Sequence, residues 1–159
     1  MTAPIVDQLR RLHDGDAWHG PSITEALESV TARQATMRPI AGGHTIYELA
    51  AHLAAWTGEV LQRLEGRPPQ MPDEGDFPEP VNAITEDEWQ AVKRRLADRH
   101  TALAQALTRF DKSRLADHVG PTRDAPTGTG VTFYAMVHGL IQHDAYHAGQ
   151  IMILRKALG

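Results

Sequence analysis

The sequence contains no cysteine. That removes a disulfide scaffold, a cysteine-based zinc site, an iron–sulfur cluster and a protein-borne thiol nucleophile. There is no surplus of positive charge either. Sixteen Lys and Arg face twenty Asp and Glu for a formal net charge of −4, which speaks against a strongly basic nucleic-acid binder. Long apolar runs are missing as well. The longest charge-free stretch, Ala125 to His143, is broken by Pro126, Gly128, Gly130, His138 and Gln142, and its apolar part falls well short of the about 20 residues needed to cross a bilayer. The opening residues turn polar at Asp7, Gln8, Arg10 and Arg11, leaving no apolar stretch for a signal peptide. A cytoplasmic protein with no membrane partner is therefore expected.

What remains is an ordinary globular composition: 159 residues, 42% hydrophobic and 23% charged, which suits one domain spanning 1–159. Three Ser/Thr-x-x-Glu signatures mark helix starts, at Ser22 with Glu25, Thr45 with Glu48 and Thr85 with Glu88. After Thr45 the apolar residues Ile46, Leu49, Leu53, Trp56, Val60 and Leu64 recur in steps of three and four until Gly66 and Pro68-Pro69 end the run. After Thr85 a second stripe runs through Trp89, Val92, Leu96, Leu103, Ala106 and Phe110. A third, beyond Gly130, uses Phe133, Met136, Leu140, Ile151, Leu154 and Leu158. A helix before Gly15 and a short piece from Ser22 towards Val30 supply the remaining wall, and Arg67 to Pro80 and His118 to Gly130 read as loops. No segment reads as a strand. The expected fold is all-α, a four-helix bundle with short accessory helices.

The third stripe is defective in an informative place. Continued from Leu140, it lands on His143, then His147, then Ile151. The two imidazoles differ by about 40° in direction and stand about 6 Å apart along the axis, so they can converge on one ion. His52 interrupts the first stripe between Leu49 and Trp56 in the same way. Inward-facing polar groups need partners. A divalent metal would satisfy all three imidazoles at once and leave coordination positions open. The alternative is three core histidines hydrogen-bonded to backbone carbonyls or to Asp144.

The other six histidines are weaker candidates. His44 is too far along its helix to share an ion with His52, and His138 points away from His143. His13, His100 and His118 have polar neighbours and read as surface, while His19, in the turn Trp18-His19-Gly20-Pro21, is a possible neighbour of the site. Asp144 is the acid nearest in sequence but diverges about 100° from His143. Trp18, Trp56 and Trp89 read as packing residues, with Trp56 also placed to line the wall beside His52. Gly149 is expected to permit a close helix approach. The basic run Lys93-Arg94-Arg95 is flanked by Glu86, Asp87, Glu88 and Asp98 and reads as a solvated face, not a nucleic-acid site.

The motifs WHGPS (Trp18 to Ser22), HTIYELAAHLAAW (His44 to Trp56) and HDAYHAGQI (His143 to Ile151) together resemble the DinB-like (YfiT-like) metalloenzyme family, whose characterised relatives include bacillithiol S-transferases and mycothiol-dependent maleylpyruvate isomerases. The resemblance implies a four-helix bundle, often a homodimer, with one divalent metal on three histidines. By motif these are His52, His143 and His147, the three that the broken stripes select. It also implies chemistry on a low-molecular-weight thiol and a small electrophile. A hydrolase using metal-bound water and a non-catalytic metal-binding bundle stay open. The residues do not choose among zinc, nickel, iron and copper, and they name no catalytic residue.

Overall fold

The computed structural model describes residues 2–159. Among these residues six α-helices and one short 3-10 helix form: α1 (Thr2–Asp14), α2 (Ile23–Leu27), α3 (Ala32–Thr36), α4 (Ile46–Leu64), α5 (Glu86–Arg109), the 3-10 helix Lys112–Ala116, and α6 (Phe133–Leu158). Among the described residues no strand forms, and pairing is limited to isolated bridges such as His118 with Thr132. No helix among the described residues is long and apolar enough to cross a membrane.

The helix starts follow from local chemistry. At Ser22, Thr45 and Thr85 the hydroxyl accepts from the backbone N–H three residues on, and the glutamate there accepts from the cap's own N–H. Two of the free donors at each helix start are thereby satisfied. Thr31 and Gln34 form a fourth such box and start α3. At the far end of α4, Gly66 adopts φ 93°, a left-handed conformation that favours glycine, before the prolines take over.

The apolar stripes decide the packing. The long helix α4 lies against α5 and α6, and α1 lies against the same two, so α1 and α4 face each other across the bundle. The short helix α2 closes on α1 and α6, and α3 on α4 and α5. Trp89 is wholly buried, and its indole N–H donates to Val30 O at 2.7 Å, tying α5 to the chain between α2 and α3.

Two apolar cores result. One gathers Ile23, Ile46, Leu49, Leu53, Trp89, Leu96, Ile151 and Leu154. The other gathers Leu9, Val60, Leu103, Leu107, Phe133, Val137 and Leu140. On α5 the boundary falls between Leu96 and Leu103, and on α6 between Leu140 and Ala148. His100 occupies that gap on α5, and His143, Asp144 and His147 occupy it on α6. A polar layer separates the cores.

Candidate metal centre

His52 of α4 and His143 and His147 of α6 meet in this layer, each offering one ring nitrogen, all within 4.8 Å of one another. His52 and His147 are buried and His143 is half-buried. The ring centroids stand 4.6 to 4.9 Å apart. The three residues expected from the sequence are the three brought together, and the group is of a kind that can hold a metal ion.

Each ring is held from behind. His52 Nδ1 donates to the Asp76 backbone carbonyl at 2.6 Å, His143 Nδ1 to Asp144 Oδ1 at 3.0 Å, and His147 Nδ1 to Gln150 Oε1 at 2.6 Å. All three partners are acceptors, so the hydrogen of each neutral ring sits on Nδ1 and the Nε2 lone pair is left facing the cluster. Phe77 stacks on His52 at 4.0 Å and on His44 at 3.8 Å, which fixes the face of the His52 ring.

This arrangement tests whether the residues fit a metal. The Nε2 atoms of His52 and His143 lie 2.8 Å apart. With both hydrogens committed to Nδ1, two lone pairs confront each other and no hydrogen bond joins them. A proton on His52 is disfavoured by burial, which outweighs the hydrogen bond to Asp76, and burial pushes His147 down to about 4. A cation relieves the confrontation, and three neutral imidazoles buttressed through Nδ1 are the donor set that borderline divalent metals prefer. The residues fit the group.

Asp144 departs from its expected role. It is fully buried, and its carboxylate joins His143 to a second pair of rings. His100 Nε2 lies 3.1 Å from Asp144 Oδ2, turned too far for a linear hydrogen bond, and the His13 ring stacks on His100 at 4.3 Å. Burial alone would raise the Asp144 carboxyl, but the facing His100 and the hydrogen bond with His143 hold it below the usual carboxylate value. The 100° divergence from His143 thus aims the side chain at the bundle centre and does not carry it off the site. His100 is buried and His13 half-buried, so neither is the surface residue expected. Burial, with the neighbouring His100 next, pushes His13 down to about 3.

Other expectations need correcting. Trp18 packs against nothing: its turn bends away from the bundle and leaves it fully exposed, with His19 beside it exposed and outside the cluster. Gly149 faces open space, so no close approach requires it. Trp56 does line the wall beside His52, and His44 pairs with Glu48 outside the cluster.

A cavity of about 370 Å³ opens directly beside His52 and His143. It runs between α4 and α6 under the loop of residues 123–131, with walls that include Val60, Val131, Met136 and Leu140. Asp76 lines it too, its Oδ1 accepting from Trp56 Nε1 at 2.8 Å and lying 3.3 Å from His52 Nδ1. Sequence reasoning missed Asp76 because it sits in the proline-rich connection, where no periodicity reports on direction.

The family model of the DinB superfamily matches residues 18–151, a span that includes all three clustered histidines. No curated protein and no solved structure matches the chain.

Proposed function

The chain belongs to the DinB superfamily, and from that premise we propose that it is a divalent-metal-dependent transferase that joins a low-molecular-weight thiol to a small electrophile at His52, His143 and His147. The observation that carries this reading is the meeting of three buttressed imidazoles, two of which, His52 and His143, stand at the wall of an open cavity. Three protein ligands beside an accessible space are the pattern of catalytic sites, whereas structural ions are normally enclosed by four. When bound, a divalent ion supplies Lewis-acid chemistry that favours the deprotonated form of a thiol or water reaching it.

The chain's own residues do the remaining work. The Asp76 carbonyl, Asp144 and Gln150 hold the ligand rings in one tautomer and one orientation. The aliphatic walls offer the organic part of the substrates a surface to pack on. As the thiol sulfur bonds to the electrophilic carbon and the leaving group departs with its electron pair, the thiol proton passes to water or to the Asp76 carboxylate, which lines the cavity on the Nδ1 side of His52. The chain has no cysteine, so the sulfur arrives with the cosubstrate.

The same carboxylate favours one second reading, a hydrolase in which Asp76 takes the proton of an attacking water. A homodimer is the assembly we propose. The exposed Tyr146 and Ile153 on α6 support it, and sedimentation velocity tests it.

The test is a panel of small thiols with 1-chloro-2,4-dinitrobenzene, set beside nitrophenyl esters, using zinc- and nickel-loaded protein. Thiol consumption that disappears in His147→Ala is the expected result. Ester cleavage without thiol, equally lost in His147→Ala, would move the assignment to the hydrolase.

A further inference from the structure

The cavity has two chemically different ends. Along α4, His52, Trp56, Val60 and Arg63 follow at intervals of four, four and three, so they share one face, and all four line the cavity. His52 and Arg63 are three turns apart, about 16 Å along the axis. Across the gap, α6 contributes Met136, Leu140 and His143 in the same register. Imidazoles mark one end of the groove and a guanidinium the other, with aliphatic side chains between.

Arg63 is unusual for its burial, its side chain being 2% exposed. Two of its edges are committed: Nε donates to Glu59 Oε1 at 2.8 Å and Nη2 to Gln70 O at 3.0 Å. Glu59 Oε1 also accepts from Gln70 N at 2.9 Å, which fixes the pair against the α4–α5 connection. Nη1 takes no acceptor among the described residues. It is directed at Gly128 in the cavity roof, 3.9 Å from where a Cβ would stand there. A pinned guanidinium thus presents its one uncommitted edge to the groove.

Arg123 brings a second guanidinium to the same cavity from the roof, where its Nη1 donates to Thr129 O at 3.1 Å. The roof is folded tightly to put it there. Gly130 has φ 72°, and a Cβ on it would come within 2.6 Å of the Arg123 backbone. Glu59 pairs with Arg63 and the roof carboxylate of Asp124 accepts from Thr127 Oγ1 at 2.8 Å, but neither acid lines the cavity, so at this end the charged groups facing the groove are the two guanidiniums. The carboxylate of Asp76 lies beside His52, towards the opposite end.

We propose that the molecule seated in this groove is a small amphipathic anion, its carboxylate held by Arg63 Nη1 and Arg123 and its reacting end turned to His52 and His143. This rests on the reading of the groove as the substrate site. An oxyanion meeting two guanidiniums forms charge-assisted hydrogen bonds with planar specificity. The aliphatic wall accepts the body of the molecule, and about 370 Å³ lies at the small end of the range for ligand pockets.

Calorimetric titration of zinc-loaded protein with octanoate and with 1-octanol tests the proposal. Octanoate is expected to bind about ten-fold more tightly, the scale of one charge-assisted contact. Arg123→Gln, at an exposed position, and Arg63→Lys, which keeps the charge but loses the fork, should each remove most of that preference. Equal binding of the two ligands by the wild type overturns the proposal. So does a preference that survives both substitutions, because the acid would then sit at the imidazole end. Repeating the titrations on chelator-stripped protein, with zinc uptake measured alongside, separates the two readings. An octanoate preference without zinc uptake keeps the anion end and removes the metal centre, and zinc uptake without the preference does the reverse.

Discussion

His52 and His143 bring their Nε2 atoms to 2.8 Å while each ring spends its hydrogen on an acceptor behind it. Two rods of the bundle thereby present facing lone pairs that a cation would bridge. Zinc titration should accordingly give one ion per chain, and metal at 100 times its Kd should stabilise the fold by about 2.7 kcal/mol. His147→Ala should abolish both effects, read by elemental analysis and thermal melting with and without chelator. Unchanged zinc content in that variant would refute the three-histidine site.

Asp144→Asn keeps the shape of the side chain and removes its charge. Because the carboxylate orients His143 and faces His100, metal affinity should fall about 10- to 100-fold. The metal-free protein should also lose about 1–3 kcal/mol through imperfectly paired buried polar groups. Competition against a chromogenic chelator gives the first number and urea unfolding the second.

Acid should destabilise the metal-free protein through its buried rings. In the folded state His147 stands at about 4 and His13 at about 3, against about 6.5 in the unfolded chain. Between those limits the unfolded chain binds more protons. The stability is therefore complete above about 6.5 and is lost as pH falls towards the folded values. Melting temperature in chelator should drop steadily from pH 6.5 to 4, and a flat profile would contradict the burial of these rings.

The same depression protects the metal. Protons compete for His52 and His147 less well than for free imidazole. At fixed subsaturating zinc, half-occupancy should lie below pH 6.5, measured by equilibrium dialysis. Full occupancy persisting to pH 3 would argue against imidazole ligation.

Gly130→Ala forces a Cβ to within 2.6 Å of the Arg123 backbone at a residue with φ 72°, so the cavity roof must move. Helical content by circular dichroism should stay near wild type because the loop lies outside the helices. Ligand binding in the groove should weaken several-fold.

Periodicity made the long helices and the three ligands legible, because an imidazole inside an aliphatic stripe is a visible defect. The same rule, applied from Leu96, lands on His100, whose polar neighbours in sequence disguised an inward position. The helix α3 was hidden because its box ends in Gln34 instead of a glutamate and its five residues show no period. Asp76, Phe77 and Arg123 reach the site from connections, where backbone hydrogen bonds and glycine geometry set direction and no repeat betrays it. Trp18 shows the converse: a large aromatic invites a packing role, yet a turn can hold it in solvent.

The polar layer between the two oily halves also acts as an alignment key. A slip of α6 against α4 by one turn, about 5.4 Å, would bring Leu140 or Ile151 opposite His52 and strand Asp144 in hydrocarbon away from His100. Uniform leucine packing would tolerate neighbouring registers. Here a single stagger of the rods survives, so the residues that gather the ion also dictate how the bundle is threaded together before any ion arrives.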